Sequence, residues 1–358
     1  MVHLMDPIEP KDLSPVKLLT KAFFRATNPH LDHSRFEAKW EKAFESPLRF
    51  FRAFPQAWYL DLTQVPVSHV PGRTDWCFGD LHPENFGFLV VGDTVHYAFN
   101  DLDDSGRAEV GLDALRWFTA HLLWSQDVRA TDAFIDLYRD VMRKPSLATG
   151  VPAALVPDAA AVRKKQLGKF VSGRKLVRNA DTLLGAADAN ERAIVTEALS
   201  AHGYRVVDVA EREREHGGSG GLRRFWALVT KGGATDVLEV KELTKPATAW
   251  GHANTPIEDR IAKVRDAVWP GLGLVDHFTV VLGTHEYVVR SRVSRANLKL
   301  DKLDDDELEA VLQAQVGVMA KHHRRAFRPA EFQALDDWLQ DSVRVTAARW
   351  TEVFERLR

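Results

Sequence analysis

Acidic and amide side chains stand at the two ends of a short predicted hairpin, at Asp80, Asn85 and Asp101. Between them, residues 86–99 contain two apolar, strand-like runs, and the Gly-Asp pair at 92–93 that joins the runs is typical of a two-residue hairpin turn. Because a hairpin brings its two ends together, we expect Asp80 and Asn85 to lie near Asp101. Oxygen ligands are what Mg²⁺ prefers. The spacing therefore predicts a site for a hard cation and its anionic ligand.

Ordinary polar turns are a second interpretation of the same acids, because aspartate and asparagine are frequent in turns. The order and spacing of the two halves together favour the functional interpretation. Asp103 and Asp104 could hold a second metal or a cationic substrate, and they are equally well explained as solvated turn residues. With Asp80, His82 and Asp101, Asp103 could also form the site of a metal-dependent hydrolase.

The segment GDLHPEN at 79–85 resembles the catalytic loop of aminoglycoside phosphotransferases, choline kinases and related kinase-like enzymes. The resemblance implies that Asp80 accepts the proton of a substrate hydroxyl, and that Asn85 and Asp101 bind the metal. Asp113, twelve residues after Asp101, stands where these enzymes carry a further aspartate that opens the next helix.

More closely, the chain resembles a bacterial family of unknown function that is placed in the protein-kinase-like superfamily. The motifs behind this resemblance cover most of the chain, and none is specific for a substrate. They are Phe50-Phe51-Arg52, Gly79-Asp80 with Asn85-Phe86-Gly87, Asn100-Asp101-Leu102-Asp103 and Val240-Lys241-Glu242. Phe78 departs from the histidine that usually precedes Gly-Asp in the kinase-like enzymes, where that residue is mainly structural.

From Tyr204 onward the pattern changes to a three-stranded meander with glycine-rich joints. One joint is a run of glycines around a serine, namely Gly217, Gly218, Ser219, Gly220 and Gly221. Such a run is usually a flexible turn, but it also lets backbone N–H groups approach a phosphate. Lys241 follows twenty residues later on the third strand, and the arrangement resembles the small lobe of a kinase, in which such a lysine binds the phosphates of ATP.

Two acidic residues near Lys241 in the sequence have different predicted roles. Glu258, seventeen residues further on in a helical stretch, is a candidate ion-pair partner that would hold the lysine in place. Glu239 lies on the same strand face as Lys241, because side chains two apart on a strand point the same way. Kinases carry a small apolar residue there that packs on adenine, so the resemblance does not extend to the usual adenine contact.

Composition indicates an ordinary globular protein of 358 residues, with 45% hydrophobic and 27% charged residues and a net charge of -2. The small charge gives no reason to expect nucleic acid or a membrane as a partner. A single cysteine excludes an intrachain disulfide. The N-terminus, MVHLMDPIEPKD, lacks the apolar core of a signal peptide, so a cytoplasmic location is expected. Oligomeric state is left open.

The order of the motifs predicts a circular permutation, because in kinase-like enzymes the glycine loop and lysine come before the catalytic loop. The resemblance implies an α+β, two-lobed, protein-kinase-like fold. The small nucleotide-binding lobe would span 203–295, with about five antiparallel strands and a helix. The large, mainly helical catalytic lobe would be built from 1–202 and 296–358.

The leading hypothesis is an ATP- and Mg²⁺-dependent phosphotransferase that acts on a hydroxyl of a small-molecule or protein acceptor. Asp80 would be the base or orienting group, Asn85, Asp101 and Asp103 metal ligands, and Lys241 a phosphate ligand. The hydrolase described above, a kinase-like binding protein without turnover, and transfer of AMP rather than phosphate remain as alternatives.

Overall fold

A computed structural model describes residues 19–64, 70–212, 222–250, 259–272, 276–328 and 331–358. The α-helices in these ranges are α1 (Lys21–Ala26), α2 (His33–Ala43), α3 (Pro47–Ala53), α4 (Pro55–Gln64), α5 (Val110–Ser125), α6 (Val128–Arg143), α7 (Ala159–Phe170), α8 (Ala189–Ala201), α9 (Arg260–Val268), α10 (Asp305–His323) and α11 (Glu331–Leu357). None of these helices carries an apolar stretch long enough to cross a bilayer.

The strands complete a mixed architecture, so the predicted α+β class is confirmed. They are β1 (Thr74–Cys77), β2 (Phe86–Val91), β3 (Thr94–Phe99), β4 (Gly106–Glu109), β5 (Val171–Ser172), β6 (Lys175–Leu176), β7 (Leu184–Ala186), β8 (Arg205–Arg212), β9 (Arg224–Lys231), β10 (Ala234–Glu242), β11 (His277–Leu282), β12 (His285–Ser291) and β13 (Arg295–Asn297). All pairings within the described sheets are antiparallel.

The largest sheet has six strands in the order β11-β12-β10-β9-β8-β7. Alternation along β10 divides its residues between two faces. Leu238 and Val240 point to a core shared with Val195 and Leu199 of α8, whereas Glu239 and Lys241 point to the other face. The sheet therefore buries one face under a helix and presents charged groups on the other.

This sheet begins earlier in the chain than residue 203, where the sequence placed the start of the small lobe. The three-residue β7 pairs with β8 as a sixth strand, with Ala186 opposite Ala210. The core that α8 shares with the sheet also lies before residue 203. A strand of three residues is too short to show the alternation by which strands are predicted.

The predicted hairpin is present as β2 and β3, and Gly92 turns between them with a φ of 55°. A positive φ at this position is strained for most residues and easy for glycine, which explains the turn chemistry. From the far end of the chain, β13 pairs with β2 on its open side, with Ala296 opposite Phe88. The hairpin is thus the place where distant parts of the sequence meet.

The helical part is held by a core rich in aromatic residues that draws on both ends of the chain. Phe24 of α1 packs on Phe50 of α3 and on Trp350 of α11, with ring centroids 5.1 and 5.9 Å apart. A buried ion pair joins Asp61 of α4 to Arg349 of α11 at 2.6 Å. Residues 19–64 and 331–358 therefore belong to one packed body.

Candidate functional site

Hydrogen bonds to Asp113, in the first turn of α5, hold the backbone of the loop between β1 and β2. The buried Asp113 carboxylate accepts hydrogen bonds from the backbone N–H groups of Phe78, at 2.5 Å, and Gly79, at 3.0 Å. Gly79 has a φ of 84°, and a Cβ there would lie 2.0 Å from the main-chain oxygen of Asp104. The glycine is therefore required for the loop to approach the turn that contains Asp104.

Asp80 follows Gly79 in this loop and is bound by an arginine that lies outside the sequence motifs. Arg116 of α5 donates from Nη2 and Nε to Oδ1 of Asp80, at 2.6 and 3.2 Å. Burial alone raises the pKa of Asp80, but Arg116 and then His82 outweigh burial and bring this pKa well below its usual range. Asp80 is therefore an ionised carboxylate held in one orientation.

Asn85 lies beside Asp80 at the start of β2. Its amide nitrogen donates to the main-chain oxygen of Asp80, at 2.9 Å, and weakly to Oδ2, at 3.4 Å. This orientation leaves the amide oxygen of Asn85 as the atom that could face a cation.

His82 is buried behind the loop and is neutral at ordinary pH. Burial, followed by the charge of Arg52, lowers the pKa of His82 to about 4 against the opposing effect of Asp80. The Nε–H of Arg52 donates to Nε2 of His82 at 3.1 Å, and Arg52 also forms an ion pair with Glu84. Arg52 thereby connects α3 to the loop of Asp80.

The turn that follows β3 carries three aspartates with three different partners. Asp101 is paired with Arg290 of β12 at 3.1 Å. Asp103 is paired with Lys241 of β10, and its buried Oδ1 has no hydrogen-bond partner among the described residues. Burial raises the pKa of Asp103, and Lys241 and then Arg290 reverse this and bring it well below its usual value.

Asp104 has the opposite electrostatic character. Its Oδ1 accepts from the backbone N–H of Ala247 at 2.9 Å and from Gln56 Nε2 at 3.2 Å. Burial, and next the negative charge of Asp80, raise the pKa of Asp104 to about 7. Asp104 thus takes up a proton more easily than Asp80 or Asp103.

Lys241 reaches this turn from the six-stranded sheet and is only 5% exposed. Its described partner is Asp103, which the sequence assigned to a metal. Glu258, the predicted partner of Lys241, and the glycine run at 217–221 lie outside the described residues.

Glu239 is fully buried in a cluster of arginines on the same face of the sheet. Its carboxylate is 2.6 Å from Nε of Arg290 and 3.1 Å from Nη1 of Arg224. Arg292 and Arg212 stand further out, at 3.9 and 3.8 Å. Burial disfavours the charged form, but Arg290 and the other arginines hold the pKa of Glu239 well below its usual value. This network compensates the charge of the buried acid.

A single cleft of about 490 Å³ collects the predicted site residues from both parts of the chain. The residues that it brings together are Asp80, Asn85, Asp101, Asp103 and Lys241. The wall beside Asp80 comes from α2 and α3 and is basic, which the sequence reading did not foresee. Its cations are Lys39, Lys42, Arg49 and Arg52.

The cleft offers partial rather than complete coordination for a metal. Within the described ranges, no three His, Cys, Asp or Glu side chains stand close enough together to hold a metal ion by themselves. Mg²⁺ is commonly bound through one or two carboxylates, with substrate phosphates and water as the other ligands. The carboxylates of Asp101 and Asp103, the unpartnered Oδ1 of Asp103 and the amide oxygen of Asn85 fit that pattern.

Two buried arginines position the acids although neither belongs to a recognisable motif. Arg116 lies on a helix face that reads as apolar, 36 residues after its partner Asp80. Arg260 of α9 donates to the main-chain oxygens of Ser105, at 2.6 Å, and Leu102, at 3.4 Å, across about 155 positions of sequence. An arginine among the apolar residues of α5 is a sign of a buried charge, and a buried charge requires a partner, so the sequence did carry a signal for Arg116. For Arg260 the sequence offers no such signal.

Comparison with known proteins places the chain in a family without adding a function. No curated protein and no solved structure gives a significant match. One family model matches residues 31–143 and 156–352, which is most of the chain, and its description is an uncharacterized protein conserved in bacteria. The loop of Asp80, the turn at 101–104 and Lys241 all fall within these matched segments. The chain therefore belongs to this bacterial family, DUF2252.

Proposed function

We propose that the protein is an ATP- and Mg²⁺-dependent phosphotransferase that acts on a hydroxyl group. The observation that carries this proposal is the shared cleft, in which Asp80, Asn85 and Asp101 from one part of the chain face Lys241 from another. A set of unrelated polar turns would have no reason to converge with a strand lysine that is 138 positions from its partner Asp103.

The placement of the elements supports a circularly permuted, protein-kinase-like fold as the framework. Asp113, which stands where the kinase-like enzymes carry a further aspartate, binds the backbone of the loop that carries Asp80. Helix α10, which resembles the helix that leads into the catalytic loop in those enzymes, packs beside it here. His322 of α10 contacts the main-chain oxygen of Trp76 at 2.7 Å, and its ring lies 4.6 Å from that of Phe78.

The roles follow from the charges in the cleft. Asp80, held by Arg116, orients the acceptor hydroxyl and accepts its proton as the oxygen bonds to the γ-phosphorus and ADP leaves. Because its pKa is low, Asp80 acts chiefly by orientation and takes the proton late in the step. Lys241 exchanges Asp103 for phosphate oxygens. Asn85, Asp101 and Asp103 would hold Mg²⁺, which supplies neutralisation of the phosphate charge.

The first test is Mg²⁺-dependent binding and turnover of ATP by the wild-type protein and by Asp101→Asn. We expect the variant to lose Mg²⁺-dependent nucleotide binding by at least about tenfold while its Tm stays near that of the wild type, because Asp101 is at the cleft surface and a third exposed. Calorimetric titration with and without Mg²⁺ measures the binding. Wild-type turnover in Asp101→Asn would remove this residue from the site.

Asp80→Asn separates the acceptor step from nucleotide binding. We expect transfer to fall by about 10²- to 10⁴-fold while ATP affinity changes little, because a group that acts on the acceptor hydroxyl does not hold ATP. Phosphorus NMR of the products distinguishes the alternatives: ADP indicates phosphate transfer, and AMP attached to the acceptor indicates AMP transfer. Nucleotide binding with no product supports the binding protein, and metal-dependent hydrolysis without nucleotide supports the hydrolase.

A further inference from the structure

The two carboxylates proposed as ligands of Mg²⁺ are each paired with a cation of the six-stranded sheet. Asp103 forms an ion pair with Lys241 of β10, and Asp101 lies 3.1 Å from Nη1 of Arg290 of β12. A metal that binds these carboxylates therefore competes with the two cationic side chains. Asp101, Asp103 and Lys241 line the cleft, so this competition takes place inside it.

We propose that Lys241 restrains the metal site, so that a divalent cation binds tightly to this cleft only together with the phosphates of a nucleotide. The inference rests on the proposed function and describes how metal binding at the same site is regulated. Without phosphates, an entering metal must displace Lys241 from Asp103. With phosphates, Lys241 gains new anionic partners and Asp103 becomes available to the metal.

Lys241 requires an anionic partner because its charge is buried. Its side chain is 6% exposed, and the side chain of Asp103 is 11% exposed. Separating such a pair leaves two buried charges without compensation, which is strongly destabilising. A metal compensates the charge of Asp103 but repels Lys241. Phosphate oxygens compensate Lys241 at the same time, so the metal and the phosphates together replace both halves of the ion pair.

Three further acids stand near Lys241, in the cleft or on its strand. Each has described partners of its own: Glu239 is held by Arg290 and Arg224, Glu242 by the backbone N–H of Arg223 and by His285, and Asp104 by the backbone N–H of Ala247 and by Gln56. Asp104 also attracts Lys241 electrostatically, which favours the position of this lysine beside the turn of aspartates. The ion pair with Asp103 is therefore the contact that a metal has to open.

Arg290 opposes a metal at Asp101 in a different way, because it is held in place. Its Nε is 2.6 Å from Glu239 and its Nη1 is 3.1 Å from Asp101, so the guanidinium is oriented from both sides. The side chain of Asp101 is a third exposed, and a metal in the cleft can reach it while Arg290 stays where it is. Lys241 is thus the side chain whose release admits the metal.

The test is calorimetric titration of the full-length protein with Mg²⁺ alone and, separately, with Mg-ATP, at about pH 8 so that the carboxyls of the cleft are ionised. The wild type should bind Mg²⁺ alone at least about tenfold more weakly than it binds Mg-ATP. In Lys241→Met the affinity for Mg²⁺ alone should rise at least about tenfold, because the competing cation is gone. The affinity of this variant for Mg-ATP should fall at least about tenfold, because the proposed phosphate ligand is gone.

Two control variants separate the charge of Lys241 from other effects. Lys241→Arg keeps a positive charge beside Asp103 and should leave the affinity for Mg²⁺ alone within about twofold of wild type. Lys263→Met removes the same charge from an exposed position of α9 and should change neither affinity. The double variant Lys241→Met/Asp103→Asn should lose the gain in Mg²⁺ affinity, because the carboxylate that Lys241 covers is absent.

A second substitution keeps the test decisive if Lys241→Met does not fold, as judged by circular dichroism. Lys241→Gln retains an uncharged donor for Asp103, and the same gain in affinity for Mg²⁺ alone is expected. The inference is overturned if the wild type binds Mg²⁺ alone as tightly as Mg-ATP, if neither folded variant gains affinity for Mg²⁺ alone, or if the double variant keeps the gain.

Failure of the proposed function has a different signature in the same titrations. If the variants at Lys241 gain affinity for Mg²⁺ but the wild type binds no Mg-ATP, the phosphotransferase proposal fails and the restraint of the metal site by Lys241 remains. If the wild type binds Mg-ATP but removal of the lysine charge leaves the affinity for Mg²⁺ alone unchanged, the restraint fails and the phosphotransferase proposal remains.

Discussion

Asp104 differs from the acids around it in the hydrogen bonds that the structure describes for its carboxylate. Asp80 and Asp103 are each held by a cation, whereas the described donors to the Asp104 carboxylate are a backbone N–H and Gln56. Burial and the neighbouring charge of Asp80 therefore raise the pKa of Asp104 from 3.8 to about 7. Within the cleft, the cations decide which carboxylates stay ionised.

This shift has a consequence for stability that a variant can isolate. Between about pH 4 and pH 7 the folded protein keeps a proton on Asp104 that the unfolded chain has released, so this contribution to stability falls as the pH rises through that window. In Asp104→Asn this side chain does not titrate in either the folded or the unfolded state. We expect its free energy of unfolding, compared with that of the wild type, to improve with rising pH by at most about 1.4 kcal/mol per pH unit.

Urea denaturation of both proteins at several pH values between about 4 and 8 measures this difference. Asp80 and Asp103 change the pH dependence of stability in the opposite direction. Because their pKa values are lowered, that change falls below about pH 4 in both proteins. Parallel pH profiles for wild type and variant would show that Asp104 titrates normally.

Only part of the site could be predicted from the sequence. Asp80, Asn85 and Asp101 were visible because a short hairpin fixes their proximity, and local chemistry predicts a hairpin. Arg116 was hidden among the apolar residues of α5. The burial of Glu239 among arginines of neighbouring strands could not be foreseen, because strand pairing depends on contacts between residues up to 51 positions apart.

At the scale of elements, α9 connects the six-stranded sheet to the turn of aspartates. Arg260 at its start donates to the main-chain oxygens of Leu102 and Ser105, and Trp269 just after its end donates to that of Phe99 at 2.8 Å. Residues at the two ends of the helix therefore hydrogen-bond to the backbone before and after Asp101 and Asp103. A shift of α9 would move these carboxylates relative to Lys241.

Arg260→Met tests this connection. Loss of hydrogen bonds from a buried charged donor should lower the free energy of unfolding by about 1–3 kcal/mol, because two carbonyl oxygens lose their donor. Mg-ATP affinity should fall several-fold as well, since the turn that holds the proposed metal ligands becomes less well positioned. Lys263→Met, an exposed change on the same helix, should alter neither quantity. Reduced stability with unchanged Mg-ATP affinity would show that Arg260 has a structural role alone.

Elements with a clear local signal were predicted well, and elements that depend on distant partners were not. The hairpin at 86–99 appears within a residue or so of its expected bounds. The basic stretch at 163–178 is a run of charge of the kind that usually forms a solvated helix face. It is instead the end of α7 followed by the strands β5 and β6, and Phe170 and Leu176 pack on Trp226 of the sheet. The apolar residues of this stretch pack on the six-stranded sheet, which is formed by residues distant in the sequence.

For the whole molecule, the two ends of the described chain are neighbours. Arg356 in the last turn of α11 donates to the main-chain oxygen of Leu19. The first and last helices share the core around Phe24 and Trp350, and β13 completes the hairpin sheet of β2 and β3. The six-stranded sheet lies between these segments in sequence, as a circular permutation predicts.

A permuted chain tests whether the order of parts matters. We expect a protein that begins at residue 203, runs to 358, continues through a short flexible linker to Leu19 and ends at residue 202 to fold as the wild type does. The new ends fall in the exposed segment at 201–203 between α8 and β8, where an opened chain loses few contacts. The linker has only the short gap between Leu19 and Arg356 to span.

A matched control opens the chain between Leu238 and Glu239 of β10, with the same linker. Both residues are completely buried in the middle of the sheet, so this cut removes ladder hydrogen bonds and the arginine network of Glu239 together. Circular dichroism and Mg-ATP titration should give a cooperative unfolding transition and affinity within about tenfold of wild type for the first permutant, and neither for the control. The first permutant brings the glycine run and Lys241 before Asp80, which is the order of parts in kinase-like enzymes. If it fails to fold although its new ends are exposed, the contacts across 202–203 are essential, and the chain is not two interchangeable segments around one cleft.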